Sequence, residues 1–578
     1  MNAGGERPGM YADRRLRVLF IISMTLVALA GVRSVWFAFA KADSLSVRAQ
    51  SQQTNGRDIL APRGQISDRN GVPLAVSEPA SDVSVSSKQV LELRTTNPPQ
   101  EPSALAPLIA DALELPEQDV LAKLTSGKGF EYLKRTVPDR QVEQLRQAAL
   151  KAGLRLVGLS FEPRNRRVYP NGPMAGQLLG GYGTDDKALG GLETALDDIL
   201  RGTYGREVQT TAGSGSALRT VREAEMKPGQ DVQLTLDSHI QAMTEDVLKR
   251  MGEQYRPKNA TAIVMRPDGA VLSMANWPRV DPNDPGGSPA DAKQNFAAGL
   301  TYEPGSTFKA VAVAGALQDR AVTPETTMSV PPQIQVADRL IKDSHDHGVE
   351  TLTPGQILAQ SSNVGTIKIG QQLTAKNGKG AFDGWMRKFG FGEKTKIGLP
   401  EDQGLLPAVK DYSGSTMGNL PIGQGQLVTP LQIANSYATI ANGGIQRRPA
   451  IMRSINGQTV KRAAGTRIIR PEVATELRQM LTGVFEAGGT ASAVKVPGYT
   501  LAGKTGTSNV YDTETGEYVE NRNVASVAGF APVKDPQVVV VVVANEPAGG
   551  GYGATVAGPA FAEISRHALQ YLKVPTGE

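Results

Sequence analysis

A long apolar run near the start of the chain limits the possible folds more than any other feature. Residues 18–40 form a stretch of 23 positions in which Arg33 is the only charged residue. A helix needs about 20 such residues to cross a bilayer. Residues 1–17 contain four arginines, and a basic flank favours the cytoplasmic side of the membrane. The sequence therefore predicts a cytoplasmic tail at 1–17, a membrane anchor at 18–40 and export of everything after Lys41.

The same run has a second interpretation as a cleaved secretory signal. Ala38, Phe39 and Ala40 have the small-x-small form of a cleavage site. The run is at or beyond the length of a signal peptide, so we favour a retained anchor. Both interpretations export the remainder. The chain has no cysteine, which permits an oxidising compartment and excludes disulfides, thiolate nucleophiles and cysteine-ligated metals.

The composition of the chain is that of a globular protein, with 40% apolar and 21% charged residues. The net charge of +5, spread over 578 residues, does not require nucleic acid, and we expect no nucleic-acid partner. Residues 43–229 are mixed and irregular, whereas 230–572 have strand-like segments at both ends of a helical middle. One of those segments is the valine run at 538–543, which predicts a buried strand. We expect an α/β (α+β) fold with domains at 43–229 and 230–572.

The segment EPGSTFK at 303–309 carries the strongest chemical signal. Proline and glycine predict a turn, and the alanine-rich stretch that follows predicts a helix that begins near Ser306. Residues three apart share a helix face, so Lys309 is expected beside the Ser306 hydroxyl. A serine becomes a good nucleophile when a neighbouring base takes its proton, and burial can lower the pKa of a lysine enough for this task. This spacing also arises by chance about twice in such a chain, as a helix cap and a solvated lysine.

Two later segments add groups that suit the same chemistry. The segment QSSNVG at 360–365 places the Ser361 hydroxyl two residues from the Asn363 carboxamide. This pair suits proton relay and the binding of an amide. The segment LAGKTGT at 501–507 is typical of a strand edge. Its glycine lets a substrate backbone approach, its lysine supplies positive charge, and its hydroxyls can hold a carboxylate.

Taken in order, these three segments resemble the signature of penicillin-binding proteins and class A β-lactamases. Further segments resemble the boxes of class B penicillin-binding proteins, from the anchor to about Leu572. In the non-catalytic domain these are RGQISDRNG at 63–71, the stretch 167–180 and GGLE at 190–193; in the transpeptidase domain they are YEPGS at 302–306, GQG at 423–425 with VTP at 428–430, and GFAP at 529–532. The length, the single anchor and the end of the chain soon after the catalytic domain are similar to the cell-division (FtsI-like) members.

The resemblance implies a fold and a reaction. Residues 230–572 would form a transpeptidase domain of the serine β-lactamase-like fold, and 43–229 an elongated pedestal of the dimerisation type. The substrate would be a peptidoglycan stem peptide that ends in D-Ala-D-Ala. Ser306 would attack the penultimate carbonyl, with Lys309 as the base. Ser361 would pass the proton to the leaving D-Ala nitrogen, and Asn363 would bind the substrate amide.

The resemblance also assigns the remaining site residues. Thr505 and Thr507 would hold the terminal carboxylate in the field of Lys504, and Gly506 would allow the close approach. Backbone N–H groups of Ser306 and Thr507 would form the oxyanion hole. An amine from a second stem peptide would then form the crosslink, whereas a β-lactam would leave the serine acylated. No metal or organic cofactor is implied.

Other functions remain as alternatives to septal crosslinking. An elongation-type transpeptidase shares most of these boxes. A D,D-carboxypeptidase or β-lactamase would pass the acyl group to water, and the middle motif, with serine where the lactamase form has aspartate, favours transpeptidation. A non-catalytic β-lactam sensor would need a signalling module, which the 17-residue tail does not offer. The family implies a SEDS-type glycosyltransferase and other division proteins as partners.

The loop DSHDH at 343–347 has the residue types of a metal site. It lacks a firm pattern of third and fourth ligands. We therefore expect a solvated loop that leads into the Ser361 segment, and no metal.

Overall fold

The computed structural model describes residues 10–40, 54–211, 217–512 and 517–577. The α-helices are α1 (Met10–Ala40), α2 (Ser87–Glu92), α3 (Pro102–Leu113), α4 (Glu117–Leu124), α5 (Asp139–Lys151), α6 (Gly176–Leu179), α7 (Gly191–Ala195), α8 (Asp197–Leu200), α9 (Ser238–Tyr255), α10 (Phe296–Gly299), α11 (Lys309–Gln318), α12 (Pro354–Gln360), α13 (Asn363–Asn377), α14 (Ala381–Lys388), α15 (Thr416–Asn419), α16 (Pro430–Ala441), α17 (Pro471–Thr482), α18 (Gly553–Val556) and α19 (Gly558–Tyr571). Short 3-10 turns lie at Leu93–Thr95, Asp291–Lys293, Gly305–Phe308, Val409–Asp411, Leu420–Ile422 and Gly483–Phe485.

The strands belong to several separate sheets. They are β1 (Thr54–Ile59), β2 (Ile66–Ser67), β3 (Pro73–Val85), β4 (Glu131–Pro138), β5 (Leu159–Val168), β6 (Gly205–Thr211), β7 (Ala217–Ala224), β8 (Val232–Leu234), β9 (Asn259–Met265), β10 (Val271–Trp277), β11 (Met328–Val330), β12 (Gln333–Val336), β13 (Arg339–Lys342), β14 (Glu350–Leu352), β15 (Ile445–Gln446), β16 (Met452–Ile455), β17 (Gln458–Thr459), β18 (Thr466–Arg467), β19 (Ala502–Asp512), β20 (Glu517–Ala531) and β21 (Val538–Asn545).

A first compact unit comprises residues up to Ala61 together with Thr203–Lys227. Its helix α1 contains the predicted apolar run, and the stretch Arg14–Phe37 is long and apolar enough to cross a membrane, with a mean hydropathy of 2.1. The side chains of residues 14–36 are exposed and that of Phe37 is partly exposed, as expected of a helix that packs against lipid. The unit also holds an antiparallel sheet in the order β1-β6-β7.

A five-stranded antiparallel sheet, in the order β10-β9-β21-β20-β19, forms the centre of the carboxy-terminal part of the second unit. Successive residues of a strand point to opposite faces. Val539 and Val541 pack in one hydrophobic cluster with α16, and Val540 and Val542 pack in another with α9 and α19. Because helices cover both faces, β21 is apolar at every position of its valine run. The predicted buried strand at 538–543 is confirmed.

A second sheet joins the amino-terminal region of this unit to its carboxy-terminal region. Its order is β17-β16-β8-β2-β3-β4, and β5 also pairs with β3. Strand β2 runs parallel to β8, which is antiparallel to β16. Next to β2, the Asp68 carboxylate accepts hydrogen bonds from the backbone N–H (3.0 Å) and Oγ (2.8 Å) of Ser238, where α9 begins. The pairing of β2 with β8 and of β8 with β16 thus joins segments that lie far apart in the sequence.

A buried charge cluster brings together three of the amino-terminal sequence boxes. Glu193 is 0% exposed, and its carboxylate pairs with Nε of Arg63 at 2.6 Å and with Nε of Arg167 at 2.7 Å. Arg63 also contacts Asp197 at 2.6 Å, and the Tyr169 hydroxyl donates to Glu193 at 3.3 Å. Each box thus contributes at least one group to a single buried network, which gives a physical reason for their residue types.

Candidate active site

The nucleophile candidate lies on a short turn that a glycine pair makes possible. Ser306 is part of the 3-10 turn Gly305–Phe308, and α11 begins directly after it at Lys309. Gly305 has φ +53° and donates its N–H to the carbonyl of Gly423 at 3.0 Å. A Cβ on Gly423 would overlap the carbonyl oxygen of Gly305. The GQG segment therefore supports the serine turn from behind, and Ser306 stands at the start of the helix, as the sequence predicts.

Lys309 is fully buried beneath this turn. Its Nζ donates to the carbonyl oxygen of Ser361 at 2.6 Å and to Oδ1 of Asn363 at 2.7 Å, and it lies 3.4 Å from Oγ of Ser361. Burial lowers the pKa of Lys309 to about 7, although the carboxylate of Asp343 acts in the opposite direction. A large fraction of this lysine is therefore the neutral amine at physiological pH.

The middle motif is a sharp turn between two helices. Helix α12 ends at Ser361, which adopts the left-handed conformation with φ +61°, and α13 begins at Asn363. Between them Ser362 caps α13, since its Oγ accepts the N–H of Gly365 at 2.9 Å. The turn aims Ser361 and Asn363 at Lys309 and directs the intervening serine to the helix end.

The third motif lies on β19, the edge strand of the five-stranded sheet among the described strands. This confirms the strand edge that the sequence predicts. Thr505 and Thr507, two residues apart, share one face of the strand. The Thr507 Oγ1 accepts the N–H of Gly553 at 3.1 Å, and the Thr505 Oγ1 lies 2.9 Å from that of Thr490. Lys504 is fully buried, and burial, with a smaller contribution from the charge of Lys309, lowers its pKa well below the usual value.

Gly506 sets the distance between β19 and the nucleophile turn. A Cβ at this position would lie 2.5 Å from Oγ of Ser526, 2.9 Å from Cγ2 of Thr307 and 3.0 Å from the carbonyl oxygen of Pro304. Real Cβ atoms do not approach other atoms so closely. The absence of a side chain therefore lets the edge strand approach the serine turn.

A cavity of about 450 Å³ brings the three motifs together. Its lining comprises Gly305, Ser306, Ser344, Ser361, Asn363, Ile422, Gln424, Thr490, Thr505, Thr507 and Tyr552–Thr555. Five of the predicted site residues are among them. Of the other three, Lys309 and Lys504 lie buried behind the lining, and Gly506 acts as the spacer described above.

Two family models cover most of the chain. The penicillin binding protein transpeptidase domain matches residues 260–566, and the penicillin-binding protein dimerisation domain matches residues 58–234. The chain belongs to the class B penicillin-binding proteins of the FtsI type. It is a serine peptidoglycan D,D-transpeptidase with a mixed α/β fold, as the sequence predicts.

Known relatives of this penicillin-binding protein match over nearly their whole length. The chain is 32% identical to the penicillin-binding protein PbpB of Mycolicibacterium smegmatis, over 96% of this chain and 89% of that protein. It is 29% identical to the peptidoglycan D,D-transpeptidase FtsI of Escherichia coli, over 96% and 92%. The crystal structure of penicillin binding protein 3 of Mycobacterium tuberculosis complexed with ampicillin superposes with a TM-score of 0.69 at 28% identity, over 90% and 97%. These relatives and the apolar helix α1 indicate a membrane-anchored protein.

Sequence reasoning missed the group that holds the middle motif of this penicillin-binding protein. The side chain of Asp343 is 1% exposed. Its carboxylate accepts from the Ser362 hydroxyl at 2.7 Å, from the backbone N–H of Val364 at 3.0 Å and from that of Asn363. The expectation of a solvated loop at 343–347 is therefore wrong for Asp343, because the start of α13 presents unpaired N–H groups that attract a carboxylate.

Two cavity residues were also missed, Thr490 and Tyr552. Tyr552 is 69% exposed at the cavity and follows the glycine run at 549–551. The position of that run after β21 was the only sequence signal for Tyr552. Thr490 had no recognisable signal, because it reaches Thr505 through the tertiary fold.

Proposed function

We propose that Ser306 attacks the penultimate carbonyl of a stem peptide that ends in D-Ala-D-Ala, with Lys309 as the base. The observation that carries this proposal is the environment of the Lys309 amine. A neutral amine has two N–H bonds and one lone pair. Two close acceptors, on Ser361 and Asn363, take the two N–H bonds. The lone pair then remains for the proton of a hydroxyl, and the pKa of about 7 keeps much of the amine neutral.

The acyl-enzyme forms when the Ser306 Oγ–carbon bond is made and the bond to the terminal D-Ala nitrogen breaks. Ser361, next to the Lys309 amine, passes the proton to the leaving nitrogen. The negative charge on the carbonyl oxygen would be held by the N–H groups of Ser306 and Thr507; losing one such donor typically costs about 100- to 1000-fold in rate. An amine of a second stem peptide then attacks the ester, takes the acyl group and releases the serine.

The cavity wall formed by β19 suits the carboxylate of the terminal D-Ala. Thr505 and Thr507 would donate hydroxyl hydrogen bonds to it, each contributing about 1.5–3 kcal/mol to a charged partner. The arrival of this negative charge favours the protonated form of Lys504, which lies behind the hydroxyls. A β-lactam presents a carboxylate and a strained amide in a similar arrangement, and ampicillin is bound in the related Mycobacterium tuberculosis protein. We propose that β-lactams acylate Ser306.

We place this reaction in septal wall synthesis, with α1 as a single-pass anchor, the amino terminus in the cytoplasm and the catalytic domain outside. The FtsI-type relatives support the septal role, and the four arginines of residues 1–17 support the orientation. We further propose a pedestal at 43–229 that contacts a SEDS-type glycosyltransferase and other division proteins, and a transpeptidase domain at 230–572. The two matched ranges, 58–234 and 260–566, support a division of this kind.

The test is covalent labelling of the full chain in detergent. The intact mass is followed for hours after penicillin is added, in parallel with Ser306→Ala. We expect a stable adduct on the native chain and none on the variant. Rapid loss of the adduct would point to a hydrolase instead. No adduct on folded protein, or the same adduct on Ser306→Ala, would overturn the proposal.

A further inference from the structure

A buried histidine lies behind the carboxylate that holds the middle motif. The side chain of His347 is 7% exposed, in the segment between β13 and β14. Its Nε2 lies 3.1 Å from Oδ2 of Asp343, and its Nδ1 lies 2.6 Å from the carbonyl oxygen of Gly348. The predicted solvated loop is therefore wrong for His347 as well, whereas His345 and Asp346 are exposed as expected.

The partners of the ring determine how many protons it carries. A carboxylate and a carbonyl oxygen can only accept hydrogen bonds, and a neutral imidazole has a single N–H. One of the two ring nitrogens would then present its lone pair to an acceptor. The imidazolium ion has two N–H bonds and satisfies both contacts.

The charges around the ring favour the same state. Besides Asp343, Oε2 of Glu350 lies 4.0 Å from Nδ1 of His347. This oxygen is buried and has no hydrogen-bond partner within the described residues. The ring of His345 is 5.3 Å away between centroids, and Lys309 attracts Asp343 from the active-site side. Two carboxylates thus lie within 4.0 Å of the ring nitrogens of His347.

We propose that His347, as an imidazolium ion paired with Asp343, is a positioning residue that holds the Ser361–Asn363 turn in the geometry needed for acyl transfer. The inference rests on the proposed roles of Ser306 and Lys309.

A continuous set of contacts links the ring to the amine. His347 donates to Asp343, which accepts from the Asn363 N–H, and Asn363 Oδ1 in turn accepts from Lys309. A ring with only one N–H would leave either the Asp343 contact or the Gly348 contact without a donor. The middle motif is then held less firmly, and acylation slows.

The kinetic test measures the acylation rate constant of the full chain in detergent against pH, with a fluorescent penicillin. Three proteins are compared: native, His347→Gln, and His345→Gln as the matched control from the exposed part of the same loop. Glutamine carries its N–H bonds on a single nitrogen and has no charge, so it cannot donate from two ring positions as the imidazolium ion does. We expect the native rate to rise with Lys309 deprotonation. His347→Gln should lower the maximum rate by about 10- to 100-fold, while His345→Gln should leave it unchanged.

A second measurement determines the protonation of the His347 ring directly and does not depend on activity. Nitrogen-15 NMR of histidine-labelled native protein, with His347 assigned through the variant, should show two protonated ring nitrogens at neutral pH. The chain has four histidines, so the spectrum is simple. A neutral His347 ring, or a His347→Gln protein with the native acylation rate, would overturn the inference. If native protein is not acylated at all, the proposed function fails instead, and the NMR result still decides the protonation of the pair.

Discussion

At the scale of single residues, two buried lysines determine the electrostatics of the cavity. Lys309 has two short acceptors and a pKa near neutrality. Lys504 donates to the carbonyl oxygen of Thr505 at 3.3 Å, and its pKa lies well below the usual value. Both lysines lose their proton easily, but only Lys309 contacts the groups of the middle motif. Both lysines are equally buried, so the difference between their proposed roles comes from the groups that each one contacts.

The low pKa of Lys309 predicts that the rate of acylation increases as the pH rises. In the proposed mechanism the neutral amine is the active form, and its fraction grows as pH increases through about 7. The rate of acylation by penicillin should therefore rise between about pH 6 and pH 8 on its way to a maximum. Lys309→Arg keeps the proton at all these pH values and should lower the rate by about 100- to 10 000-fold. An arginine variant with the native profile would show that another group is the base.

Because Tyr552 is exposed at the cavity, we expect its replacement to weaken ligand binding without changing the stability of the fold. Its ring is exposed at the cavity wall, where it can pack against a ligand side chain. A contact of this kind is worth about 0.5–1.5 kcal/mol, so Tyr552→Ala should lower the second-order acylation constant by roughly 2- to 10-fold. The thermal midpoint should stay the same. Tyr571→Ala, a tyrosine outside the cavity lining, should have no effect on acylation.

At the scale of elements, the activity depends on how closely β19 approaches the serine turn. Gly506→Val places a branched side chain against the carbonyl oxygen of Pro304 and the methyl group of Thr307. Neither the turn nor the strand can give way without moving a motif. We expect acylation to fall by about 100-fold, measured with penicillin on the folded variant. Gly384→Ala, where a Cβ meets nothing within 4 Å, is the control that should retain the native rate.

The elements also show which parts of the site could be predicted. The helix start after the serine turn and the valine strand are local patterns, and both are confirmed in the structure. The placement of Lys309 beside the Ser306 hydroxyl stays a prediction. The order of the sheet was not predictable, because β9 pairs with β21, about 270 residues later. Asp343 was missed for the same reason: its contacts with the start of α13 depend on a loop whose path no periodicity reveals.

At the scale of the whole molecule, the buried charge cluster predicts a large effect on stability. Glu193→Gln would remove the buried carboxylate that pairs with both Arg63 and Arg167, and only Arg63 would keep a second charged partner, Asp197. Removing one partner of such a buried pair costs about 3–5 kcal/mol, so thermal unfolding should begin at a clearly lower temperature. Glu143→Gln, which removes an exposed pair with Arg146 at 3.9 Å, should change stability by less than about 1 kcal/mol. Equal melting curves for the two variants would contradict this account.

With the exported orientation proposed above, the shared sheet also bears on the order in which the chain folds. Strand β2, at residues 66–67, leaves the membrane early, but its parallel neighbour β8 is some 165 residues later and β16 about 385 residues later. During synthesis at about 5–20 residues per second, the edge of β2 would wait for its partners for tens of seconds. For that time the newly exported amino-terminal half has an open sheet edge, which is a site for aggregation. We expect extracytoplasmic chaperones to act on this nascent chain before its catalytic half has emerged.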